Sequence, residues 1–241
     1  MGADYSRKYS LGPTNPARAM SELQHLLFDL DGTLTDPFQG ITASIRHALD
    51  RLGVASPDGE ALRGWIGPPL RDSFGHWLDT TDEALLDRAI DLYRERFATV
   101  GLYENRVYAG IPALLERLNG AGFTLYLATS KPRVFAERIL AHFQLEHHFR
   151  AIHGSELDGR LSHKADLIRH ILLTERITPP GTAMIGDRLH DVHGARHNGV
   201  AALGAGWGYG APGELAGAGA GQVFSGPARL GEWLLATVSA P

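Results

Sequence analysis

The chain has 241 residues, a hydrophobic fraction of 44%, a charged fraction of 21% and a formal net charge of -4. The length suits a catalytic core with a smaller insert, the net charge offers no broad basic field for nucleic acid, and no apolar run approaches the about 20 residues of a membrane span. Zero cysteines exclude a disulfide framework and thiolate chemistry. We therefore expect a cytoplasmic globular protein with neither nucleic-acid nor membrane partners.

Residues 1–20 show no apolar periodicity. They mix basic residues with proline, asparagine and glycine and lack the apolar stretch of a secretory signal. We predict a mobile tail here. Met20 is an alternative start, and the sequence leaves open whether residues 1–19 belong to the native protein.

Short apolar runs then alternate with amphipathic helical patterns. Strands are predicted at 24–29, 123–129, 149–153, 183–187 and 200–203. Helices are predicted at 111–120, 134–142, 164–175, 191–197 and 230–238. Regular alternation of strand and helix after about residue 105 indicates an α/β fold with a doubly wound parallel sheet.

Residues 37–106 differ from the rest of the chain. They show helical patterns at 41–52, 70–78 and 83–100 and no convincing strand. We therefore predict a helical cap inserted after the first strand of a core formed by residues 21–36 and 107–241. Ligands bind beyond the carboxyl ends of parallel strands, so an insert at this point is placed to act as a lid.

Two acidic pairs follow apolar runs. Asp29 and Asp31 end the first predicted strand, where Gly32 permits a sharp turn. One carboxylate of such a pair can attack phosphorus while the other transfers a proton, although Asp-Gly is also common in capped turns. Asp187 and Asp191 follow another strand and offer the oxygen ligands that magnesium prefers, with a plain helix cap as the alternative for Asp191. Acidic residues at two strand ends favour metal binding over capping alone.

Hydroxyl and cationic side chains suited to a phosphate occur near the other strands. Thr129, Ser130 and Lys131 close a strand before a helix and offer two hydroxyls, backbone donors and a cation. Lys164 opens a further helix, where it can neutralise a phosphate and a nucleophile together, although an exposed surface lysine is the alternative. These residues predict a phosphate site.

Taken in chain order, four motifs of this sequence resemble those of the haloacid dehalogenase-like hydrolase superfamily. The motifs are Asp29-x-Asp31-Gly-Thr, Thr129, Lys164 and Gly186-Asp187-x-x-x-Asp191. The resemblance spans about residues 22–230. It implies a Rossmann-like core with a helical cap, a Mg²⁺ cofactor and an aspartyl-phosphate intermediate.

The resemblance also implies catalytic and phosphate-binding roles. Asp29 is the nucleophile, and Asp31 is the acid and base that protonates the leaving alcohol and then activates water. Thr129 and Lys164 bind the phosphoryl group, and we add Ser130 to this set because it follows Thr129 directly and supplies a second hydroxyl.

For the metal, the resemblance implies Asp29, the main-chain carbonyl of Asp31 and Asp187 as ligands, with Asp191 ordering metal waters or the lysine. The dehalogenases of the superfamily lack the second aspartate of the first motif, so Asp31 argues for phosphoryl transfer. We expect a Mg²⁺-dependent phosphatase, monomer or homodimer, that acts on a small phosphorylated metabolite. A sugar-phosphate mutase and a non-catalytic phosphometabolite-binding protein are the alternatives.

Residues 64–70, 129–132 and 207–210 are similar to phosphoglycolate phosphatase-like and nucleotidase-like members, which leaves phosphoglycolate, nucleotides and sugar phosphates as substrate candidates. The stretch around Lys164 departs from the Lys-Pro-x-Pro pattern of many phosphoglycolate phosphatases. The candidates for substrate selection in the cap are Ile66, Gly67, Pro68 and Arg71.

Two other signals are given little weight. His190, His193 and His197 fall near one helical face without a completing zinc ligand. The glycine-rich segment 204–210 does not satisfy the dinucleotide pattern Gly-x-Gly-x-x-Gly and is interpreted as a loop.

Overall fold

The computed structural model describes residues 23–238, so the predicted tail lies outside the described residues. The strands are β1 (His25–Phe28), β2 (Thr35–Asp36), β3 (Arg106–Val107), β4 (Thr124–Pro132), β5 (Ala151–Ser155), β6 (Thr182–Gly186), β7 (Ala201–Ala205) and β8 (Gln222–Phe224). The α-helices are α1 (Phe38–Arg51), α2 (Gly59–Arg63), α3 (Leu70–Trp77), α4 (Glu83–Arg96), α5 (Ile111–Gly120), α6 (Arg133–His142), α7 (Lys164–Glu175), α8 (Leu189–His197), α9 (Glu214–Ala218) and α10 (Pro227–Val238). A π-helical turn, Phe97–Gly101, continues α4.

Six strands form one parallel sheet in the order β5-β4-β1-β6-β7-β8. β1 is central, and His25 pairs with Thr124 on one side and with Thr182 on the other. From β1 the chain winds outward first through β4 and β5, and then through β6, β7 and β8. This confirms the predicted doubly wound sheet, whose direction reverses between β1 and β6, where such sheets form a ligand crevice.

The alternating side chains of β1 divide the core between the two faces of the sheet. Leu26 and Phe28 join the larger apolar cluster, to which α5, α6 and α10 also contribute. Leu27 joins a second cluster formed largely with α7, α8 and α9. Because both faces are covered, β1 is apolar at consecutive positions rather than at every second one.

The stretch predicted as a cap contains α1 to α4 and the π-helical turn, which pack on the larger cluster through residues such as Phe74 and Phe97. β2 and β3 pair antiparallel at the two ends of this stretch, with Thr35 opposite Val107. This two-stranded ribbon and α2 were not predicted, because two-residue strands and a five-residue helix are too short for a periodic pattern.

Towards the carboxyl end, β8 and α9 were also missed, since they lie in a segment dominated by glycine and alanine. β4 extends to Pro132 instead of ending at Thr129, with a break in its pairing with β5 between these two residues. Within residues 23–238, none of the helices has both the length and the apolar composition needed to cross a bilayer.

Candidate active site

Asp29 lies where β1 ends, in the crevice between β1 and β6. Its main-chain N–H donates to Ile185 O at 2.9 Å, so the pairing with β6 continues to this residue. Beyond it the chain reverses, and Leu34 N and Thr35 N both donate to Leu30 O. Only 4% of the Asp29 surface is exposed. The turn therefore fixes the carboxylate at the floor of the crevice.

Gly32 satisfies two requirements in this turn. Its φ of +85° lies in the left-handed region, where side chains are disfavoured. A Cβ at this position would also stand 2.1 Å from Asp187 Oδ2. A glycine here allows the β1 turn and the carboxylate after β6 to approach each other.

Lys164, the first residue of α7, connects three groups from different elements. Its buried ammonium donates to Asp29 Oδ1 at 2.8 Å and to Ala128 O at 2.7 Å. It also lies 2.7 Å from Asp191 Oδ1. Burial acts to lower the pKa of Lys164, but the carboxylates of Asp191 and Asp29 outweigh it and raise that pKa. The lysine is therefore charged, and the surface alternative is wrong.

Asp29, Asp187 and Asp191 each offer a carboxylate oxygen, and these oxygens lie within 4.8 Å of one another. Burial, followed by repulsion from Asp29 and Asp191, raises the pKa of Asp187 well above its usual range. Asp191 Oδ1 is buried against the Lys164 ammonium at 2.7 Å, and within the described residues no group other than Lys164 is recorded as its partner. Three buried oxygen donors with one lysine among them fit a divalent cation.

The carboxylate of Asp31 lies apart from this trio. Lys131 Nζ is 2.9 Å from Asp31 Oδ1 and 2.7 Å from Oδ2. The same ammonium lies 4.7 Å from the centre of the Phe97 ring in the π-helical turn. Burial raises the pKa of Asp31 and Lys131 opposes the rise, with a net upward shift.

The sequence predicted Lys131 as a cation for a phosphate but did not pair it with Asp31. Thr129 and Lys131 both line the cleft, although the pairing of β4 with β5 breaks between Thr129 and Pro132, so strand alternation does not predict this. The two residues are also hydrogen-bonded, with Lys131 N donating to Thr129 Oγ1 at 3.2 Å.

The site opens into a cleft of about 800 Å³ between the core and the stretch predicted as a cap. Asp29, Asp31, Thr129 and Ser130 line it from the core. The aromatic side chains along the cleft are Trp65, Tyr93, Phe97 and Phe135. Lys164, Asp187 and Asp191 lie behind this surface, fully or almost fully buried.

The four selection candidates are placed differently. Gly67, Pro68 and Arg71 line the cleft, and the guanidinium of Arg71 pairs with Glu83 and Asp87. Ile66 is fully buried in the core and is absent from the cleft lining.

The segment after β7 holds a set of contacts that the sequence did not reveal. Tyr209 N donates to Asp187 Oδ2 at 2.7 Å, and Trp207 Nε1 donates to Thr33 O at 3.0 Å. The partners of these bonds are 22 and 174 residues apart, beyond any local pattern.

A family model, a curated relative and a solved structure all match this chain. The family model described as haloacid dehalogenase-like hydrolase matches residues 26–205. A 5'-nucleotidase from Pseudomonas aeruginosa is 55% identical over 191 residues, which cover 79% of this chain and 86% of the relative. A crystal structure of a predicted phosphatase from Clostridium acetobutylicum superposes with a TM-score of 0.86 at 43% identity, covering 89% of this chain and 99% of that one.

Another relative is named as a kinase and not as a phosphatase. The tyrosine-protein kinase PtkA from Mycobacterium tuberculosis is 41% identical over 187 residues. The match covers 78% of this chain but only 63% of the relative.

Proposed function

The chain belongs to the haloacid dehalogenase-like hydrolase family and is a phosphatase of that family, and from this premise we propose that it hydrolyses nucleoside 5'-monophosphates. We further propose Mg²⁺ as its cofactor and an aspartyl-phosphate on Asp29 as its intermediate. The observation that carries the proposal is the grouping of Asp29 and Asp31 at the floor of one cleft, each with its own buried lysine.

The first half-reaction uses both carboxyl groups. Lys164 holds Oδ1 of Asp29, and we assign the attack on phosphorus to Oδ2. The P–O bond to the nucleoside breaks as the new P–O bond to Asp29 forms, and Asp31 gives its proton to the departing 5'-oxygen. Thr129 and Ser130 line the cleft, and we assign their hydroxyl groups as hydrogen-bond donors to the phosphoryl group.

In the second half-reaction, Asp31, now a carboxylate, takes a proton from water as the water oxygen attacks phosphorus. The bond between phosphorus and Asp29 breaks, inorganic phosphate leaves, and Asp31 is again protonated. Lys131 lies against Asp31 throughout and stabilises the ionised form between the two steps.

We propose that Asp29, Asp187 and the main-chain carbonyl of Asp31 hold the Mg²⁺, with Asp191 as a further oxygen donor beside Lys164. The cation supplies charge that offsets repulsion between the anionic nucleophile and the anionic ester.

The choice of a nucleotide has two supports. One is the 5'-nucleotidase from P. aeruginosa with 55% identity. The other is a cleft of about 800 Å³ lined by the half-buried ring of Trp65, because flat aromatic side chains stack on nucleobases. We also propose a cytoplasmic enzyme, monomer or homodimer, because a chain without cysteine suits a reducing compartment.

A panel of nucleotides, phosphoglycolate and sugar phosphates, assayed for phosphate release with Mg²⁺ and with EDTA, tests the proposal. We expect the highest kcat/KM for a nucleoside 5'-monophosphate and no release in EDTA. A higher kcat/KM for another ester would refute the proposal of a nucleoside 5'-monophosphate as the substrate. An isomerised sugar phosphate without phosphate release would indicate the mutase, and transfer from a nucleoside triphosphate to tyrosine would indicate a kinase.

Asp29→Asn tests the nucleophile, because an amide oxygen cannot form the phosphoenzyme. We expect turnover to fall by at least about 10³-fold with an unchanged circular dichroism spectrum. Asp50→Asn, an exposed change of the same chemistry, is the control and should keep full activity. Turnover by Asp29→Asn at the rate of the control would remove Asp29 as nucleophile.

A further inference from the structure

Residues 207–210 form a loop after β7 that reaches across two strands to the turn after β1. Tyr209 N donates to Asp187 Oδ2, and Trp207 Nε1 donates to Thr33 O. The Tyr209 hydroxyl also donates to Asp36 Oδ1 in β2. The loop is therefore bonded both to the carboxylate that follows β6 and to the segment that follows β1.

Gly208 sits at the closest point of this approach. A Cβ there would lie 2.4 Å from Asp187 Oδ2 and 2.4 Å from Gly32 O. Neither atom can withdraw easily, because one belongs to a fully buried carboxylate and the other to the main chain of the turn. Any side chain at 208 must displace Asp187, the turn or the loop.

We propose that residues 207–210 are a positioning element for the metal, an inference that rests on the proposed Mg²⁺ site. The main-chain N–H of Tyr209 holds Oδ2 of Asp187 and so fixes the rotation of the carboxylate. Oδ1 accepts from Thr33 Oγ1 at 3.5 Å, and one oxygen of this carboxylate lies within 4.8 Å of oxygens of Asp29 and Asp191. The bond from Trp207 to Thr33 O holds the Asp29 turn at a fixed distance from the same carboxylate. Partners of this kind orient metal ligands and set metal affinity.

The test measures Mg²⁺ binding to the full chain by isothermal titration calorimetry after treatment with EDTA, so the readout is independent of turnover. We expect Gly208→Ala to raise the Mg²⁺ Kd by at least about tenfold. Gly217→Ala is the matched control, because a Cβ at 217 meets nothing within 4 Å. This control should bind like the wild type.

Trp207→Phe keeps an aromatic ring but loses the donor to Thr33 O, and it covers the case in which Gly208→Ala fails to fold. We expect it to raise the Kd in the same direction by a smaller factor. Wild-type Kd in Trp207→Phe, or in a folded Gly208→Ala, would overturn the positioning role even if the melting temperature in EDTA fell. Absence of Mg²⁺ binding by the wild type would overturn the magnesium site itself and this inference with it.

Discussion

Two buried lysines contact three of the four carboxylates at the sheet edge. Lys164 contacts Asp29 and Asp191, whereas Lys131 contacts both oxygens of Asp31. Burial favours the protonated form of a carboxyl group, and a neighbouring ammonium favours the ionised form. Lys131 thus opposes the effect of burial on the pKa of Asp31, so the proposed acid/base has a neighbouring cation of its own.

This role can be tested by Lys131→Met, which removes the positive charge beside Asp31. Lys131 lowers the pKa of Asp31 against the effect of burial, so its loss should raise that pKa further. In the second half-reaction Asp31 acts as a base and must be ionised, so the acidic limb of the pH profile for phosphoenzyme hydrolysis should move to higher pH. We expect kcat near neutral pH to fall by about tenfold or more, because a charge-assisted hydrogen bond is worth about 1.5 to 3 kcal/mol. Lys131→Arg should restore the limb; an unmoved limb in Lys131→Met would refute the assignment.

Among the elements, α4 carries the wall of the cleft opposite the catalytic strands. Asp82 caps its first turn by accepting from Ala84 N at 3.0 Å. Its last turns supply Tyr93 and, through the π-helical continuation, Phe97 next to Lys131. The N-cap contact of Asp82 lies outside the cleft lining and affects stability, whereas Glu83, Asp87 and the last turns of the helix border the cleft.

Removal of the cap by Asp82→Ala should lower the free energy of unfolding by about 1 kcal/mol, because one N–H at the helix start loses its partner. Asp82→Asn preserves the cap and should be close to neutral. Urea denaturation of the three proteins gives the values. We expect kcat to be unchanged in both variants, since Asp82 is absent from the cleft lining, and a large drop in kcat for Asp82→Ala would contradict this division of α4.

Prediction from sequence succeeded where the signal was local. Asp29 and Asp187 directly follow apolar runs that became β1 and β6, and parallel strands place such residues at one edge. The contacts of Lys131 with Asp31 and of Tyr209 with Asp187 join residues that are 100 and 22 positions apart in the chain, and no local sequence pattern predicts them. The trio of side-chain oxygens also includes Asp191, which sequence reasoning placed one step from the metal.

At the scale of the whole molecule, the acidic trio links stability to pH and to the metal. The pKa values of Asp187 and Asp191 are raised by burial above those of an unfolded chain. Their contribution to stability is therefore present in acid and is lost as the pH rises through the raised values. A bound cation requires the ionised forms and should restore what is lost at neutral pH.

We expect Mg²⁺ to increase the melting temperature of protein treated with EDTA. This increase should be larger at about pH 7.5 than at about pH 5.5, where protons compete for the same oxygens. Differential scanning calorimetry at both pH values, with Ca²⁺ as a second cation, measures it. An increase that does not depend on pH would contradict ionisation of Asp187 and Asp191 on metal binding.

The short ribbon of β2 and β3 has a consequence for how such an enzyme diversifies. The chain leaves the sheet at Thr35–Asp36 and returns at Arg106–Val107, and paired residues in antiparallel strands lie only about 5 Å apart. The chain between them leaves and rejoins the sheet at one place, while its helices also pack on the larger apolar cluster of the core. Changing the residues of this segment that face the cleft would therefore change which alcohols reach the proposed nucleophile, whereas the buried residues that pack on the core must be kept.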